Sequence, residues 1–268
     1  MPPAPSPLFE QLRSVAVAAA TGAATVVKRH AGSHLLDVRT KSSPTDLVSE
    51  ADRASERFIA TYIAEHRPDD AINGEEGTAV EGTSGISWAA DPLDGTTNFF
   101  FGVPAYSVSV AACVDGEPVA GAVVDCCRDE VWSAARGAGA FRGADACHVA
   151  TGRSVLATAL VATGFGYRPE RRARQAALVA RVISQIRDIR RVGSAALDLC
   201  WLAAGHYDAF FELGLHQWDW AAGRLICEEA GATYGALDDG ALLVATPDLY
   251  APLSDLLNGG LAELDAGG

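Results

Sequence analysis

Positive charge is what this chain lacks most. Its 268 residues carry 21 Lys and Arg against 34 Asp and Glu, a formal net charge of −13 at pH 7. Proteins that grip nucleic acid or an anionic membrane surface normally show a basic patch, so this balance argues against both. It does not argue against a small anionic substrate, because a bound cation inverts the local field. Long apolar runs are missing too. No stretch reaches the roughly 18 residues that a membrane-spanning helix needs. The apolar segment from Ser14 to Val27 follows Glu10 and Arg13 with no basic cluster before it and no cleavage pattern after it. It reads as an Ala-rich helix rather than a signal peptide. The expected location is the cytoplasm. The six cysteines (Cys113, Cys126, Cys127, Cys147, Cys200 and Cys227) include no C-x-x-C, and no His pair has zinc-finger spacing. They read as reduced core thiols, with Cys126 and Cys127 on opposite faces of a strand.

What is present suits a sizeable core. Hydrophobic residues make up 49% of the chain, enough for one large domain or two halves sharing an interface. Residues 1–7 are Pro-rich and expected to be disordered; 8–268 are expected to form a single domain. Helical spacing of Leu8, Leu12, Val15, Ala19, Ala23 and Val26 predicts a first helix stopped by Gly32. A second is predicted from Thr45 or Asp46 with the stripe Leu47, Ala51, Ala54, Phe58, Tyr62. A β-rich block follows, with strands at Ile72–Gly74, Ile86–Ala90, Tyr106–Val114, Val119–Cys127, Glu130–Ala135 and Gly139–Phe141, and a hairpin at Asp115-Gly116. From Ala157 the pattern alternates. Strands are predicted at Leu160–Thr163, Ile189–Val192, Tyr207–Glu212 and Leu242–Ala245. Helices are predicted at Ala173–Ile186, Ser194–Ala204, Trp218–Ala230 and Leu249–Leu264, the last broken at Gly259-Gly260. The expected fold is a layered α+β/α/β arrangement: an antiparallel-sheet half packed with helices (about 8–150) and a smaller α/β half (about 151–268).

Chemistry concentrates in Asp91-Pro92-Leu93-Asp94-Gly95-Thr96-Thr97-Asn98-Phe99. Two acids crowded into a Pro/Gly turn repel each other unless a cation sits between them. A hard divalent cation with oxygen ligands is the natural occupant. The N–H groups of Gly95-Thr96-Thr97 can cradle a phosphate. Other acids stand in comparable places. Glu75-Glu76 is bracketed by Gly74 and Gly77, and Asp219 lies between Trp218 and Trp220 at a predicted helix start. Taken alone, the Glu pair also reads as a solvated turn, Asp219 as a first-turn acid and the Asp pair as a turn with local Asx bonds. Their joint occurrence favours a site.

With Lys41-Ser42-Ser43-Pro44-Thr45-Asp46-Leu47-Val48 upstream and Gly193-Ser194-Ala195-Ala196 downstream, Gly74-Glu75-Glu76, the nine-residue run and Trp218-Asp219-Trp220-Ala221-Ala222-Gly223 stand in the order of a known pattern. From about residue 8 to 264 the chain resembles the inositol monophosphatase family of Mg2+-dependent, lithium-sensitive phosphatases with a sugar-phosphatase-like fold. The resemblance implies two or three Mg2+ ions. Glu75, Asp91 and the Leu93 carbonyl would hold one. Asp91, Asp94 and Asp219 would hold a second, and a third, weaker ion would rest on Glu75. Leu93 stands where the family commonly has Ile. Thr96, paired with Asp46, would orient a water and take up its proton beside Glu75. Gly95 and Thr96 would receive the phosphate, while Gly193, Ser194, Ala195 and Glu212 would meet the polyol. Ser194 reads equally as a helix N-cap. Glu76, Lys41 and His216 would stand behind the ligands. Arg190 to Ala196 followed by Asp198 is closer to the inositol branch than to the histidinol-phosphate or adenosine-bisphosphate branches. Where many relatives have His near Phe101, this chain has Phe99-Phe100-Phe101, read as core and dimer packing. The expected activity is hydrolysis of inositol monophosphate. The alternatives are another phosphomonoester, or a regulatory role beside transcription machinery. A homodimer is implied by resemblance only.

Overall fold

The computed structural model describes residues 6–31, 39–40, 47–48 and 50–266. Helix α1 (Pro7–His30) starts with Pro in its first turn and ends on Lys28, Arg29 and His30, which suit the dipole at its C-terminus. Strands β1 (Arg39–Thr40) and β2 (Leu47–Val48) pair antiparallel. Helix α2 therefore begins later than predicted, at Glu50, and runs to His66; Leu47 belongs to β2 and not to its stripe. There follow β3 (Ala71–Gly74), β4 (Ala79–Val80), β5 (Ile86–Asp94), the short helix α3 (Thr96–Phe101), β6 (Ser107–Val114), β7 (Glu117–Asp125), β8 (Glu130–Ala135), β9 (Gly139–Arg142) and β10 (Asp145–Ala146). Their eight-stranded sheet has the order β10-β9-β8-β7-β6-β5-β3-β4. The β6–β7 hairpin turns on Asp115 (φ 51°) and Gly116 (φ 80°), both left-handed, as a two-residue turn of this hand requires. Strand β7 stops at Asp125, so Cys126 and Cys127 lie in the turn after it and not in a strand. All six cysteines are free thiols, five of them buried.

The rest of the chain is β11 (Leu160–Thr163), α4 (Pro169–Val182), β12 (Asp188–Arg190), α5 (Ala195–Ala203), β13 (Ala209–Glu212), α6 (Gln217–Glu229), β14 (Thr233–Ala236), β15 (Leu242–Ala245) and α7 (Pro247–Ala266). Its five-stranded sheet has the order β12-β11-β13-β15-β14. Strands β11, β12 and β13 are parallel, and β15 is antiparallel to both β13 and β14.

Alternation along the strands sorts the core into layers. Trp88 and Ala90 of β5 and Val110 and Ala112 of β6 face α1 and α2. Ala89 and Ala111, one residue along, face α5 and α6. The smaller sheet does the same: Ala162, Phe210 and Val244 face α5 and α6, while Val161, Phe211 and Leu243 face α4 and α7. The order is helices, large sheet, helices, small sheet, helices. Each fully buried Leu or Ile contributes about 1.5–3 kcal/mol to holding it. No helix among the described residues is long and apolar enough to cross a membrane.

Helix α7 runs unbroken through Gly259-Gly260, against the predicted break. Gly260 is buried, and a Cβ there would lie 2.9 Å from Leu178 Cδ1. The glycine is there for close approach of α7 to α4, which composition alone reads as a breaker.

Candidate metal centre and substrate cleft

Parallel pairing builds the centre. Gly74, the last residue of β3, is in register with Ala90 of β5, so Glu75, just past the end of β3, stands beside Asp91, still within β5. The Glu75 N–H donates to the Ala90 carbonyl at 3.1 Å. Asp91 pairs with Ser109 of β6, whose hydroxyl donates to the Trp218 carbonyl at 3.3 Å. That bond seats the first turn of α6, and with it Asp219, over the same strand ends. One carboxylate oxygen each from Glu75, Asp91 and Asp219 lies within 4.8 Å of the others. Asp219 is fixed from behind by the His216 N–H, which donates to its Oδ2 at 2.6 Å. The His216 ring itself is exposed and stacks on Trp218 with centroids 4.9 Å apart.

The segment between the acids is a bulged continuation of β5 rather than a free turn. Asp91 Oδ1 accepts from the Leu93 N–H at 3.0 Å. Asp94 reaches the other way: its Oδ2 accepts from the Ser194 hydroxyl at 2.6 Å and the Ala196 N–H at 2.8 Å. The three-acid group thus does not include Asp94, though its charge is felt there. Ser194 is the N-cap that its sequence position allowed, its oxygen also accepting from the Leu197 N–H at 3.3 Å.

Burial dominates the electrostatics. Asp91 is 2% exposed. Its carboxyl is pushed well above the usual range, first by burial and then by the charges of Glu75, Asp94 and Asp219. Burial raises Asp94 to about 6 against the lowering bonds from Ser194 and Ala196. Asp219 rises through burial and Glu75. An all-oxygen donor set whose members suppress one another's ionisation fits a hard divalent cation, which would remove that conflict.

Gly95 follows at φ 95°, where a Cβ would also meet the Ala105 and Gly193 carbonyls at 3.0 and 3.2 Å. Only glycine fits both demands. Helix α3 then starts at Thr96 with no side chain capping its first N–H groups. The Thr96 hydroxyl lies 3.0 Å from Asp52 Oδ1 and 3.1 Å from the Leu93 carbonyl, its single proton lying between two acceptors. Among the described residues the carboxylate beside Thr96 is Asp52, at the start of α2. Asp46 and Lys41 lie outside the described residues.

Three loops at the carboxyl ends of β11, β12 and β13 form the other wall, the usual place for a ligand on parallel strands. Glu212 ends β13 with its carboxylate packed on Gly164, so closely that a Cβ on Gly164 would collide with it. Burial lifts Glu212 to about 7; Arg191 opposes this and Asp94 adds to it. Gly193 (φ 97°), whose carbonyl lies against Gly95, and the buried Ala195 flank the Ser194 cap at the start of α5. Of the three phenylalanines, Phe99 is core, edge-on to Tyr106, whereas Phe101 is 70% exposed.

Sequence reasoning missed Asp52, Ser55 and Glu56. The buried face of α2 is Ala51, Asp52, Ser55, Glu56, Ile59 and Ile63. The predicted stripe of Ala54, Phe58 and Tyr62 is only half-buried. The run Ala51, Ser55, Ile59, Ile63 at four-residue spacing carries the signal, and it brings Asp52 and Glu56 onto the inward face.

Five alternating layers with an all-oxygen acidic cluster at the strand ends define a sugar-phosphatase-like fold. The comparisons narrow this. The model of the inositol monophosphatase family matches residues 9–265. The chain is 46% identical over 240 residues to the inositol-1-monophosphatase SuhB of Mycobacterium tuberculosis H37Rv (83% of this chain, 82% of the relative). It is 41% identical over 228 residues to the Nus factor SuhB of Pasteurella multocida (82% and 84%). The solved structure of the extragenic suppressor protein suhB from Bartonella henselae superposes with a TM-score of 0.85 at 34% identity (91% and 97%). This chain belongs to the inositol monophosphatase family.

Proposed function

We propose that this chain is a Mg2+-dependent phosphatase that releases phosphate from inositol monophosphate. The observation that carries the proposal is the convergence of Glu75, Asp91 and Asp219 beside a Thr96–Asp52 pair in a member of this family. Glu75, Asp91 and the Leu93 carbonyl would hold one ion, and Asp91, Asp94 and Asp219 a second. Glu76 is close enough along the chain to influence a third. A divalent cation in such a place supplies acidification of water and charge neutralisation on phosphoryl oxygens. The chain supplies position. Thr96 Oγ1, its proton turned to Asp52, keeps lone pairs to accept from an attacking water and aim it at phosphorus, and Asp52 takes the proton onward. N–H groups of Gly95 and Thr96 face the phosphate oxygens. Gly193, Ser194, Ala195 and Glu212 would face the hydroxyls of the leaving polyol, whose bridging oxygen takes its proton from a solvent water as the P–O bond breaks. The barrier falls through positioning and electrostatics, without a covalent phosphoenzyme. Lithium inhibition, a homodimer and a cytoplasmic location belong to the same proposal.

The test is phosphate release from inositol 1-phosphate, histidinol phosphate, fructose 1,6-bisphosphate and adenosine 3′,5′-bisphosphate, with Mg2+ and with chelator. The expected result is a Mg2+-dependent preference for inositol 1-phosphate. Preference for another ester discards the substrate. No turnover with any of them favours the second reading, a regulatory partner of transcription machinery. That reading draws on the Nus factor name of relatives at 41% identity; the net charge of −13 argues against its acting by direct RNA binding, and filter binding with structured RNA checks this.

A further inference from the structure

Nothing in the resemblance or in the site chemistry explains Glu56. It is 5% exposed, inside α2, with its carboxylate turned away from solvent. Its Oε2 accepts from the Glu76 N–H at 2.6 Å and its Oε1 from the Thr78 N–H at 2.8 Å. Both oxygens are thus spent on backbone of the turn that carries Glu75. A Cβ on Gly74 would lie 2.5 Å from Glu56 Oε2, so the glycine opening the turn is what lets the carboxylate in. One helical turn earlier, Asp52 meets Thr96. Between them, the Ser55 hydroxyl donates to the Pro92 carbonyl at 2.7 Å. Positions 52, 55 and 56 share one helix face. That face touches all three segments of the proposed centre: the Thr96 turn, the Asp91–Asp94 segment and the Glu75 turn.

We infer that Glu56 is a positioning residue that sets the cation affinity of the centre through Glu75, an inference resting on the proposed role of Glu75 as a ligand. The physical reason is rigidity. In the turn from Gly74 to Thr78 the Gly74 N–H donates to the Thr78 carbonyl at 2.7 Å, the Glu75 N–H to the Ala90 carbonyl at 3.1 Å and the Gly77 N–H, weakly, to the Gly74 carbonyl at 3.4 Å, while the two bonds to Glu56 clamp its Glu76–Thr78 arm. Charge-assisted bonds to backbone N–H groups are the stronger kind. A ligand carboxylate on a floppy turn must be ordered by the ion itself, and that ordering comes out of the affinity. Residues that orient ligands in this way are worth roughly 10–100-fold in metal affinity.

The test uses the full chain and Mn2+ as the probe, counted by the electron paramagnetic resonance of the free ion, with no substrate present. Glu56→Gln keeps shape and one acceptor but sets an NH2 against a backbone N–H. It should weaken the tightest Mn2+ site about 10-fold and speed hydrogen exchange at the Glu76 and Thr78 amides, with the circular dichroism of the native fold retained. Glu75→Gln should weaken the same site, and the double variant should bind no worse than Glu75→Gln alone, because Glu56 acts through Glu75. Unchanged Mn2+ affinity in Glu56→Gln beside a loss in Glu75→Gln overturns the inference and leaves the ligand reading standing. Unchanged affinity in Glu75→Gln overturns both. Additive losses in the double variant also overturn the inference, since they place the effect of Glu56 elsewhere. If Glu56→Gln fails to fold, Glu56→Asp keeps the charge but withdraws it by one methylene, and the same criteria apply to it.

Discussion

In the proposed centre single carboxylates and one hydroxyl would divide the work, and their removal should have different kinetic signatures. Asp94 and Asp219 differ in what holds them: Asp94 by the start of α5, Asp219 by the His216 N–H. Either change to Asn removes a charge while keeping those neighbours. Each should lower kcat/KM at limiting Mg2+ by roughly 100-fold or more, above the 10–100-fold cost of residues one layer further out; full activity in either variant sinks the ligand assignment. Thr96→Ala should behave otherwise. It removes a group needed mainly in the transition state, so kcat should fall about 100-fold with KM nearly unchanged. Asp52→Ala should reproduce that split, and the double variant should be no worse than either, because the two act as a unit. Retained turnover in Asp52→Ala beside a loss in Asp46→Ala would return the role to Asp46. The pH dependence follows from the raised carboxyls. Asp94, raised to about 6, holds a proton that a cation must displace. Mg2+ binding should therefore tighten as pH rises towards 7 and release protons below it, measured as buffer-dependent heats in calorimetry; a pH-independent affinity would count against the centre.

Elements show where sequence patterns speak and where they fall silent. Strands β8 and β11 occupy the residues that patterning marks, Glu130–Ala135 and Leu160–Thr163, because apolar runs between turn residues leave few alternatives. Helix α3 is invisible, since six residues are too few to show a 3.6-residue period, and its Gly95-Thr96-Thr97 start reads as loop. The acids of the centre are legible because they sit in contiguous runs. The Asp52–Ser55–Glu56 face is not, because its partners lie 20 to 44 residues away and only the fold brings them together. The paired glycines of α7 make the contrast testable. A Cβ on Gly259 meets nothing within 4 Å, while one on Gly260 meets Leu178 at 2.9 Å. Gly259→Ala should stabilise the protein by about 0.5–1 kcal/mol, the helix gain over glycine. Gly260→Val should destabilise it by about 1–3 kcal/mol through overpacking against α4. Urea unfolding of both decides it: a destabilised Gly259→Ala would mean that α7 is not continuous there.

Across the whole molecule the centre is a liability until it is filled. Asp91, Asp94, Asp219 and Glu212 all have carboxyls raised in the folded chain, each first by burial. The folded state then holds more protons than the unfolded one between about pH 4, the ordinary carboxyl range, and about 7. The stability contributed by these four carboxyls in the cation-free protein is full below that window and is lost as pH rises through it. A bound cation reverses the sign, because it favours the ionised carboxylates that burial and mutual repulsion oppose. With chelator, the Tm should fall between pH 5 and 7.5. At pH 7.5, Mg2+ at about 100 times its Kd should restore about 2.7 kcal/mol, roughly 5–10 °C in a chain of this size. Asp91→Asn should flatten both effects, since Asp91 is the acid on which the other charges converge. Differential scanning fluorimetry with and without Mg2+ across that pH range measures all of this at once. A Tm that rises with pH under chelation, or an equal Mg2+ shift in Asp91→Asn, would show that the charge conflict at the strand ends does not govern the stability of this fold.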